Sequence, residues 1–333
     1  MQKGKVTWGI VGNSHDASLA VFRTAIAGLT DHYHTHLLWA GLAKDFSGIQ
    51  HDPDLNDDLI RVAKQVGGEP DEVVWYERPF LKTLRQWRAG QGWLYKENDI
   101  KKYLRRWNIT APIKYTQHHL SHAAYAYYTQ PHDDCAVICL DSIGEFETLT
   151  MWHGKDNKLK KIYSQGYPHS LGLFYSAMTQ RVGLVPQRDE YMIAQMAQKG
   201  DATRLYSHMM RDLVNSSYRR MFDTKENFHR GCRWWRPDLD KEQDKYDIAA
   251  TTQMIFECTL RDLSMRAFRE TGSNHLALAG GGALNKQGVD KIRKDWDSVW
   301  VPPNPGDPGS CVGAVLARSQ EKIELDSAWH KKV

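Results

Sequence analysis

The amino-acid sequence predicts an α/β protein built from two similar lobes. The chain has 333 residues, which is enough for two lobes that each bury a core. Its composition, 41% hydrophobic and 25% charged residues, is ordinary for a folded protein of enzyme size. A strand–turn–strand pattern opens the chain and restarts near residue 135, and strands alternating with helices follow it in each half.

The first half supplies the pattern of one lobe. A short, β-branched run at residues 6–11 predicts a buried strand that leads into a polar turn at 12–14. Later apolar runs predict its hairpin partner and further strands, and two amphipathic stretches predict helices. The predicted strands are 6–11, 19–22, 35–40, 72–76 and 112–116, and the predicted helices are 55–65 and 98–107.

The second half repeats this pattern, starting from an apolar strand that ends in Asp141. The predicted strands are 135–141, 146–153, 159–163 and 275–279, and the predicted helices are 171–182, 190–198, 245–270 and 283–294. Such duplication is typical of the two-lobed actin-like, ribonuclease-H-like ATPase fold, whose hairpin turns grip a nucleotide or acyl donor between the lobes. We expect the lobes at 1–132 and 133–333, with a divergent basic and aromatic insertion at about 200–245.

Charge and cysteine content exclude several protein classes. The chain has 44 Lys and Arg against 40 Asp and Glu, a net charge of +4, which is far below that of histone-like proteins. Its five cysteines form no CxxC pair, which favours reduced thiols over a disulfide framework. The sequence shows no secretory signal pattern and no apolar run of about 20 residues. We therefore expect a cytoplasmic protein without a membrane segment.

The strongest local motif is the pair His118 and His122 at the start of an Ala-rich helical pattern. Their i, i+4 spacing places both imidazoles on one helix face, whereas His119 points about 100° away. Asp141 at a strand end and Asp307 in a Pro-Gly turn add two carboxylates, and together the four groups suit Fe²⁺, Zn²⁺ or Mn²⁺. The alternatives are a coincidental histidine pair and aspartates that serve only as turn or cap residues.

A glycine turn between a strand and a helix is a candidate phosphate-binding element. Gly280, Gly281 and Gly282 are followed by Asn285, and backbone N–H groups in such a turn can approach a phosphate at the helix N-terminus. The alternative interpretation is a tight strand-to-helix connection that needs glycine for conformational reasons.

The first turn and one later turn carry further candidate residues. Gly12 and Asn13 occupy the hairpin turn where the predicted fold grips its donor, and His15 and Asp16 follow directly. Glu190 precedes a predicted helix in the second half. We interpret His15, Asp16 and Glu190 as candidate catalytic groups, with ordinary turn residues as the alternative.

Seven motifs in order resemble the O-carbamoyltransferase family that includes nodulation-factor, cephalosporin and tobramycin carbamoyltransferases. The motifs lie at residues 12–18, 76–82, 118–124, 141–145, 168–176, 279–285 and 306–309. They span nearly the whole chain, with gaps around 24–70 and 200–245. An ordered series of this length is far more specific than any one of its motifs.

The resemblance implies a metal centre and a donor site. In the family, the HxxxH pair and two later aspartates hold a metal, which assigns His118, His122, Asp141 and Asp307 here. His15 is implied to lie near the transferred carbamoyl group, where it would accept the proton of the acceptor hydroxyl. The glycine turn at 280–285 is implied to contact the nucleotide part of a carbamoyl-adenylate donor.

Two departures from the family concern how the donor is made. Full-length relatives continue with a YrdC-like C-terminal domain that forms carbamoyl-adenylate from carbamoyl phosphate and ATP, and these 333 residues do not include one. Relatives also carry a lysine where this chain has Met192. We therefore expect that a donor-activating partner protein can be required.

Two basic, aromatic stretches bear on the acceptor. Residues 82–106 hold eight Lys or Arg and two acids, residues 219–236 hold six and two, and the rest of the chain carries a net charge of −6. Cations beside aromatic rings are the combination that grips unstacked nucleic acid. The candidate acceptor contacts are Arg219, Arg220, Arg230, Arg233, Trp234, Trp235 and Arg236.

The favoured acceptor is a hydroxymethylated pyrimidine, as a nucleotide or as a base in DNA that is flipped out or single-stranded. A small sugar or antibiotic-like metabolite is the alternative acceptor, and a non-autonomous subunit of a carbamoyl-transfer complex is the alternative role. The basic stretches can also be a solvated surface whose aromatic rings pack inward. A small-molecule kinase is disfavoured because such an enzyme has no need for the histidine pair.

Overall fold

Two five-stranded sheets, one in each half of the chain, form the framework of the molecule. The computed structural model describes residues 4–14, 16–26, 33–215, 219–325 and 329. The first sheet contains β1 (Lys5–Val11), β2 (Ser18–Ile26), β3 (Tyr33–Leu42), β4 (Glu72–Trp75) and β5 (Ile113–Tyr115). Its order is β3-β2-β1-β4-β5; β1, β2 and β3 pair antiparallel, whereas β4 and β5 run parallel to β1.

The second sheet repeats the topology of the first. It contains β6 (Cys135–Gly144), β7 (Glu147–Lys155), β8 (Lys158–Gly166), β11 (His275–Ala279) and β12 (Ser298–Trp300). Between β8 and β11 in the chain, β9 (Val214–Asn215) and β10 (Asp223–Thr224) form a separate two-stranded ribbon. Its order is β12-β11-β6-β7-β8, with the first three strands of the half again antiparallel and the last two parallel to the central strand. The repeat confirms the predicted two-lobed, duplicated actin-like α/β fold.

Eleven α-helices of the described residues surround these sheets. They are α1 (Ala43–Ser47), α2 (Asp57–Gly67), α3 (Pro79–Arg88), α4 (Ile100–Arg105), α5 (His118–Tyr128), α6 (Leu171–Arg181), α7 (Glu190–Ala197), α8 (Ala202–Leu213), α9 (Glu242–Thr271), α10 (Lys286–Ile292) and α11 (Ser310–Ser319). Short 3₁₀ turns add to them, including one at Gly281–Leu284 and one at Asp307–Gly309. None of the helices in the described ranges is both long enough and apolar enough to span a bilayer.

The helices that end each half are exchanged between the sheets. α5 follows the first sheet but packs against β6 and β11 of the second, whereas α11 follows the second sheet and packs against β1 of the first. The approach is close because glycines line it: a Cβ on Gly9 would lie 1.8 Å from the Cys311 carbonyl oxygen, and one on Gly313 would lie 1.9 Å from that of Ser121. The exchange brings the N-terminal ends of both helices to the same place between the lobes.

Each lobe has its own hydrophobic core. The first core combines the β1 to β5 sheet with α5 and α11 and contains the buried rings of Trp8, Trp75 and Tyr125. The second core lies between the β6 face and α6, α8 and α9. The predicted boundary at 132/133 falls in the connection between α5 and β6, and the exact division into lobes stays a prediction because the two exchanged helices belong to both.

Several predicted elements differ in extent from those observed. The strand predicted at 135–141 continues to Gly144 through a bulge after Leu140, and the long helix predicted at 245–270 covers Glu242–Thr271. The predicted helix at 283–294 is split into the 3₁₀ turn, α10 and a second 3₁₀ turn. α1, α3, α8, β9, β10 and β12 were absent from the predicted set, and α3 and α8 contain many polar and basic residues.

Candidate metal centre

Four side chains converge between the N-terminal ends of α5 and α11. His118, His122, Asp141 and Asp307 each offer one ligand atom, and these atoms lie within 4.8 Å of one another. His118 Nε2 is 3.1 Å from His122 Nε2 and 3.2 Å from Asp141 Oδ2. Asp307 Oδ1 lies 3.4 Å from the Nε2 atoms of both histidines. Both histidines and Asp141 are buried, and Asp307 is half-buried.

Each element delivers its ligand from a position that the topology fixes. His118 begins α5, and His122 follows one turn later on the same face, as the i, i+4 spacing predicts. Asp141 leaves the central strand β6 at its bulge, and Asp307 lies in the turn that leads into α11. Because the two helices are exchanged between the lobes, the centre takes ligands from both halves of the chain.

Neighbouring groups hold the ligands in place. Ser310 Oγ lies 3.3 Å from His122 Nδ1, and the Gly281 amide donates a hydrogen bond of 3.3 Å to Asp141 Oδ1. Gly144 lies against the imidazole of His118, and a Cβ there would approach its ring to 2.1 Å. Partners of this kind orient metal ligands and tune their basicity.

The charges at the centre reinforce one another. Burial alone would lower the pKa of His118, but the carboxylates of Asp307 and Asp141 outweigh burial and raise that pKa well above its usual range. Burial would raise the pKa of Asp141, but the contact with His118 outweighs it and sets the pKa at about 2. The histidines likewise hold the pKa of Asp307 well below its usual range. Both carboxylates are thus ionised at neutral pH, the form that binds cations, and a metal that binds here would displace the proton of His118.

The spacing of the four ligand atoms fits one small divalent ion. Atoms placed about 2.1 Å from a common ion lie about 3.0–3.4 Å apart in octahedral or tetrahedral geometry. Four of the six separations, at 3.1, 3.2, 3.4 and 3.4 Å, fall in this range, and all six are within 4.8 Å. Two imidazoles with two carboxylates suit Fe²⁺, Zn²⁺ or Mn²⁺. These residues can therefore hold a metal.

His119 points away from the centre, as its position on the helix predicts. It is fully buried, and its Nδ1 lies 3.0 Å from Thr150 Oγ1. Burial and the charge of His118 lower its pKa well below the usual value, so it is neutral. The sequence pattern therefore separates the two inward histidines from their neighbour correctly.

One wall of the centre consists of residues that were not among the predicted site residues. Tyr76 and Glu77 follow β4; the Tyr76 ring lies 5.3 Å from that of His118, and Glu77 Oε2 lies 4.0 Å from His118 Nδ1. Lys82 bonds Glu77 at 2.8 Å and the Asn13 carbonyl at 3.2 Å. Glu145 is buried and accepts a 2.6 Å hydrogen bond from the Arg78 amide. The motifs at 76–82 and 141–145 are the sequence signals that include these residues.

The glycine turn lies directly on β6. Gly280 adopts a φ of 84°, and a Cβ there would lie 2.4 Å from the Leu140 carbonyl oxygen. Gly281 bonds Asp141, and Gly282 packs on the Leu140 side chain. Close packing therefore explains these glycines at least in part, and the turn supports a metal ligand in addition to any role toward a donor.

Asn285 is engaged in structural hydrogen bonds. Its Oδ1 accepts from the Gly288 amide at 2.9 Å and so caps α10, and its amide pairs in both directions with Gln253 at 2.9 Å. Its Nδ2 also lies 3.4 Å from the Tyr175 hydroxyl. A donor contact through this side chain would have to replace one of these bonds, so its assignment stays a prediction.

The first turn lies beside the same wall. Asn13 has a φ of 53°, and its side chain donates to the Glu97 carbonyl oxygen at 2.9 Å. A Cβ on Gly12 would lie 2.6 Å from the Tyr103 hydroxyl, so only glycine fits. Asp16 is occupied by His51 at 3.0 Å and by Lys44 at 4.0 Å rather than by the metal centre. His15 lies outside the described residues.

Glu190 lies at the start of α7 in the second lobe. Its Oε1 accepts hydrogen bonds from Ser176 Oγ at 2.6 Å and from the Gln187 amide at 2.5 Å. Its charge also contributes to the raised pKa of Tyr175, which places it near the Asn285 network rather than among the four ligands.

The segment 219–236 is only partly a surface. Trp235 is buried at 2% exposure, in the second core with Phe222 and Phe228, and its indole donates to Asp212. Its ring therefore cannot stack on a ligand, which corrects its assignment as an acceptor contact. Arg236 pairs with Asp238 at 2.9 Å and Arg220 with Asp223 at 3.0 Å.

The rest of the predicted acceptor set lies at the surface. Trp234 is more than half exposed, and Arg219, Arg230 and Arg233 are also exposed. Exposed aromatic residues also lie in the basic stretch 82–106, although none was among the candidate contacts: Trp87, Trp93 and Tyr95. Phe80, just before this stretch, is exposed as well.

Comparison with known proteins assigns the family. A family model described as "Carbamoyltransferase N-terminus" matches residues 70–316, which is most of the chain. The chain belongs to this carbamoyltransferase family. The assignment confirms the resemblance drawn from the seven motifs.

Curated relatives of this carbamoyltransferase-family chain are longer than it is. An uncharacterised protein of Synechocystis is 27% identical and aligns with 92% of this chain but 57% of its own length. Nodulation protein NolNO of Sinorhizobium fredii is 26% identical over 63% of this chain and 32% of its own length. Nodulation protein NolO of Bradyrhizobium diazoefficiens is 28% identical over 61% of this chain and 38% of its own length. The chain thus spans about a third to somewhat over half of these relatives.

Solved structures show a distant likeness. The activator of the 2-hydroxyisocaproyl-CoA dehydratase from Clostridium difficile has a TM-score of 0.46 at 10% identity, over 95% of each chain. HypF from T. kodakarensis has a TM-score of 0.47 at 12% identity, over 99% of this chain and 49% of its own.

Proposed function

We propose that this chain transfers a carbamoyl group to a hydroxyl group with a divalent metal held by His118, His122, Asp141 and Asp307. The observation that carries the proposal is the convergence of these four ligand atoms within 4.8 Å in a chain of this family. The proposed donor is carbamoyl phosphate, or the carbamoyl-adenylate formed from it with ATP. Fe²⁺, Zn²⁺ and Mn²⁺ all suit the ligand set.

The reaction needs a polarised carbonyl and a base, because a hydroxyl is a weak nucleophile at neutral pH. The hydroxyl oxygen bonds the carbamoyl carbon, the bond from that carbon to the donor phosphate oxygen breaks, and phosphate or AMP leaves. When bound, a divalent ion here supplies Lewis acidity toward a carbonyl or phosphoryl oxygen. Lys82, held against Glu77, places a positive charge beside the centre where the leaving phosphate gains charge.

The hydroxyl proton requires an acceptor among the side chains. His15 is the proposed base, with Glu190 as the alternative, because the resemblance puts the His15 motif beside the carbamoyl group. A general base contributes typically about 10²–10⁴-fold in rate. Glu190 is held by two hydrogen bonds and lies with the Asn285 network, which supports a role toward the donor more than toward the hydroxyl.

The proposed acceptor is a hydroxymethylated pyrimidine in a nucleotide or in unpaired DNA. Exposed aromatic rings beside cations support this choice, because bases stack on such rings while cations contact phosphates. Trp93 stacks on Tyr95 with a ring separation of 6.3 Å and meets Phe80 edge-on at 6.4 Å. Trp234 is exposed with Arg233 on the other lobe.

The activity is tested by mixing the protein, Mn²⁺ or Fe²⁺, ATP and carbamoyl phosphate with a single-stranded oligonucleotide that contains hydroxymethylcytosine. We expect a mass gain of one carbamoyl group on the oligonucleotide. A gain only on an aminoglycoside or sugar would replace the acceptor proposal with the small-molecule one. A gain only with synthetic carbamoyl-adenylate would indicate that a partner protein makes the donor.

The metal assignment is tested with His118→Ala and Asp307→Asn. Both variants should lose bound metal, measured by elemental mass spectrometry, together with carbamoyl transfer. His119→Gln is the matched control, because its imidazole faces Thr150 and should leave the metal content unchanged when circular dichroism shows a native fold. Full activity of either ligand variant would refute the metal centre.

A further inference from the structure

Arg85 on α3 is a buried cation that forms no ion pair with any described residue. Its side chain is 8% exposed, and among the described residues no carboxylate oxygen lies within 4.0 Å of its guanidinium. Its Nε has no hydrogen-bond partner there either. Burial lowers its pKa, with the nearby Glu77 opposing that shift, yet an arginine remains charged at neutral pH. An unpaired charge in this position is costly unless a ligand completes it.

The surroundings of Arg85 place it between the lobes. Arg88, one turn later on α3, lies over the ring of Phe146, with its guanidinium carbon 5.9 Å from the centroid. The Phe146 carbonyl oxygen in turn accepts a hydrogen bond of 2.9 Å from the Tyr167 amide. The charge of Arg85 acts on Tyr167 and on His229, so α3 faces these residues of the second lobe.

The groups of the second lobe that act on Arg85 carry no negative charge of their own. Tyr167 and His229 lie edge to face at 6.3 Å, and the Tyr167 hydroxyl accepts a hydrogen bond from Asn227. Burial and the charge of Arg85 lower the pKa of His229, so its imidazole is neutral and can donate one N–H. The acid that raises the pKa of Arg85 is Glu77, whose carboxylate is already bonded to Lys82 at 2.8 Å.

The position is also close to the metal centre. Tyr76 and Glu77 both interact electrostatically with Arg85, and they form the wall against His118. Arg85 and the metal centre therefore share Tyr76 and Glu77 as neighbours. The planar guanidinium favours an oxyanion that accepts two parallel hydrogen bonds.

We infer that Arg85 binds a phosphate-type anion in the cleft between the lobes, with Tyr167 and His229 facing it. The anion is either the phosphate of the donor or a phosphodiester of the acceptor strand. The inference rests on the proposed function only in linking this anion to carbamoyl chemistry, because binding is measured without turnover. Binding of an anion would also offset the free-energy cost of burying the Arg85 charge.

The test uses calorimetric titration of the full chain with inorganic phosphate and, separately, with a thymidine tetranucleotide. We expect Arg85→Gln to weaken binding of the anion by about 10- to 100-fold, since it removes a bidentate charged contact. Arg88→Gln, an exposed cation on the same helix, should bind like the wild type. Loss of phosphate binding alone identifies the donor as the source, and loss of tetranucleotide binding alone identifies the acceptor.

Thermal unfolding without ligand separates a binding role from a structural one. Removing an unpaired buried charge should leave the melting temperature of Arg85→Gln unchanged or raised. Arg85→Lys keeps the charge but loses the planar guanidinium that can donate two parallel hydrogen bonds, so it should retain part of the affinity for the anion. Unchanged affinity of Arg85→Gln for both probes, or a large drop of its melting temperature without ligand, would overturn the inference. His118→Ala should still bind the anion. The anion site and the metal centre can therefore be refuted independently of each other.

Discussion

Gly144 determines where the first metal-ligating nitrogen can point. A Cβ at this position would lie 2.1 Å from Cδ2 and 2.7 Å from Nε2 of His118, closer than any real contact. Gly144→Ala should therefore turn the imidazole away from Asp141. We expect metal affinity to fall by about 10- to 100-fold, the range found when groups that orient a ligand are changed. Competition with a coloured chelator measures this affinity.

The control for this variant is Gly306→Ala. Gly306 directly precedes the ligand Asp307, but the nearest atom to a Cβ there is Pro308 Cδ at 3.8 Å, and its φ of −73° suits alanine. It should keep wild-type metal affinity. Equal affinities for Gly144→Ala and Gly306→Ala would show that the crowding at His118 does not orient the ligand.

The cysteines provide a second test at the residue scale. Cys258 is exposed, and the other four thiols are buried. Burial raises the pKa of Cys135 and of Cys311 to about 12, so these thiols carry almost no thiolate at pH 8. A thiol-specific chromogenic reagent should label one cysteine per native chain, and none in Cys258→Ser. Rapid labelling of more than one native thiol would contradict the buried positions.

At the residue scale, some site residues could be predicted from the sequence and others could not. The i, i+4 spacing was sufficient to find His118 and His122 and to exclude His119, because helix geometry fixes side-chain direction. Trp235 was assigned to the surface because its neighbours are basic, whereas its ring packs in the second core. Arg85 could not be singled out, since an unpaired charge is recognised only when every neighbour is known.

At the scale of elements, the contact between α5 and α11 controls the centre. Gly313 on α11 lies against the Ser121 carbonyl, where a Cβ would come within 1.9 Å of the oxygen. Gly313→Ala should destabilise the protein by about 1–3 kcal/mol through overpacking, although alanine favours helices. Urea unfolding measures this loss. Arg318→Ala, at the exposed end of the same helix, should change stability by less than about 0.5 kcal/mol.

The docking of α8 on α9 predicts a pH dependence. Burial would raise the pKa of Asp247, but the Asp201 amide and the charge of Arg204 outweigh it and lower that pKa. A lowered pKa means that the stabilisation is present above the unfolded value of about 4 and is lost as the pH falls below it. Arg204→Gln should thus be less stable than wild type at pH 7, and the difference should shrink toward pH 3. A constant difference across this range in urea midpoints would exclude the ion pair as its cause.

Elements with alternating apolar runs were predictable, and short polar ones were not. β1 and β6 are almost entirely buried and were recognised as strands from composition alone. α3 buries only Thr83 and Arg85, so its packing depends on hydrogen bonds, such as that from Asn98 to Thr83, that no hydrophobic pattern reveals. The exchange of α5 and α11 was likewise not predictable, because the sequence of neither helix indicates which sheet it packs against.

For the whole molecule, the exchanged helices make the metal centre a link between the lobes. α5 carries two ligands from the first half of the chain, and Asp141 and Asp307 come from the second. Other bonds cross at the same place, including Ser18 Oγ to the Pro308 carbonyl at 2.7 Å and Thr116 Oγ1 to the Ala314 carbonyl at 3.2 Å. The lobes are therefore expected to unfold together rather than one after the other.

Metal loading should consequently stabilise both lobes at once. A ligand at 100 times its Kd contributes about 2.7 kcal/mol to a folded state that alone binds it. Scanning calorimetry with Mn²⁺ or Zn²⁺ should show a single transition that moves upward by several degrees, and chelation should return it. His118→Ala should show a much smaller shift, because it leaves only His122, Asp141 and Asp307 to hold the ion. Two separated transitions, of which the metal moves only one, would mean that the ion binds within one lobe and that the exchanged helices do not couple the halves.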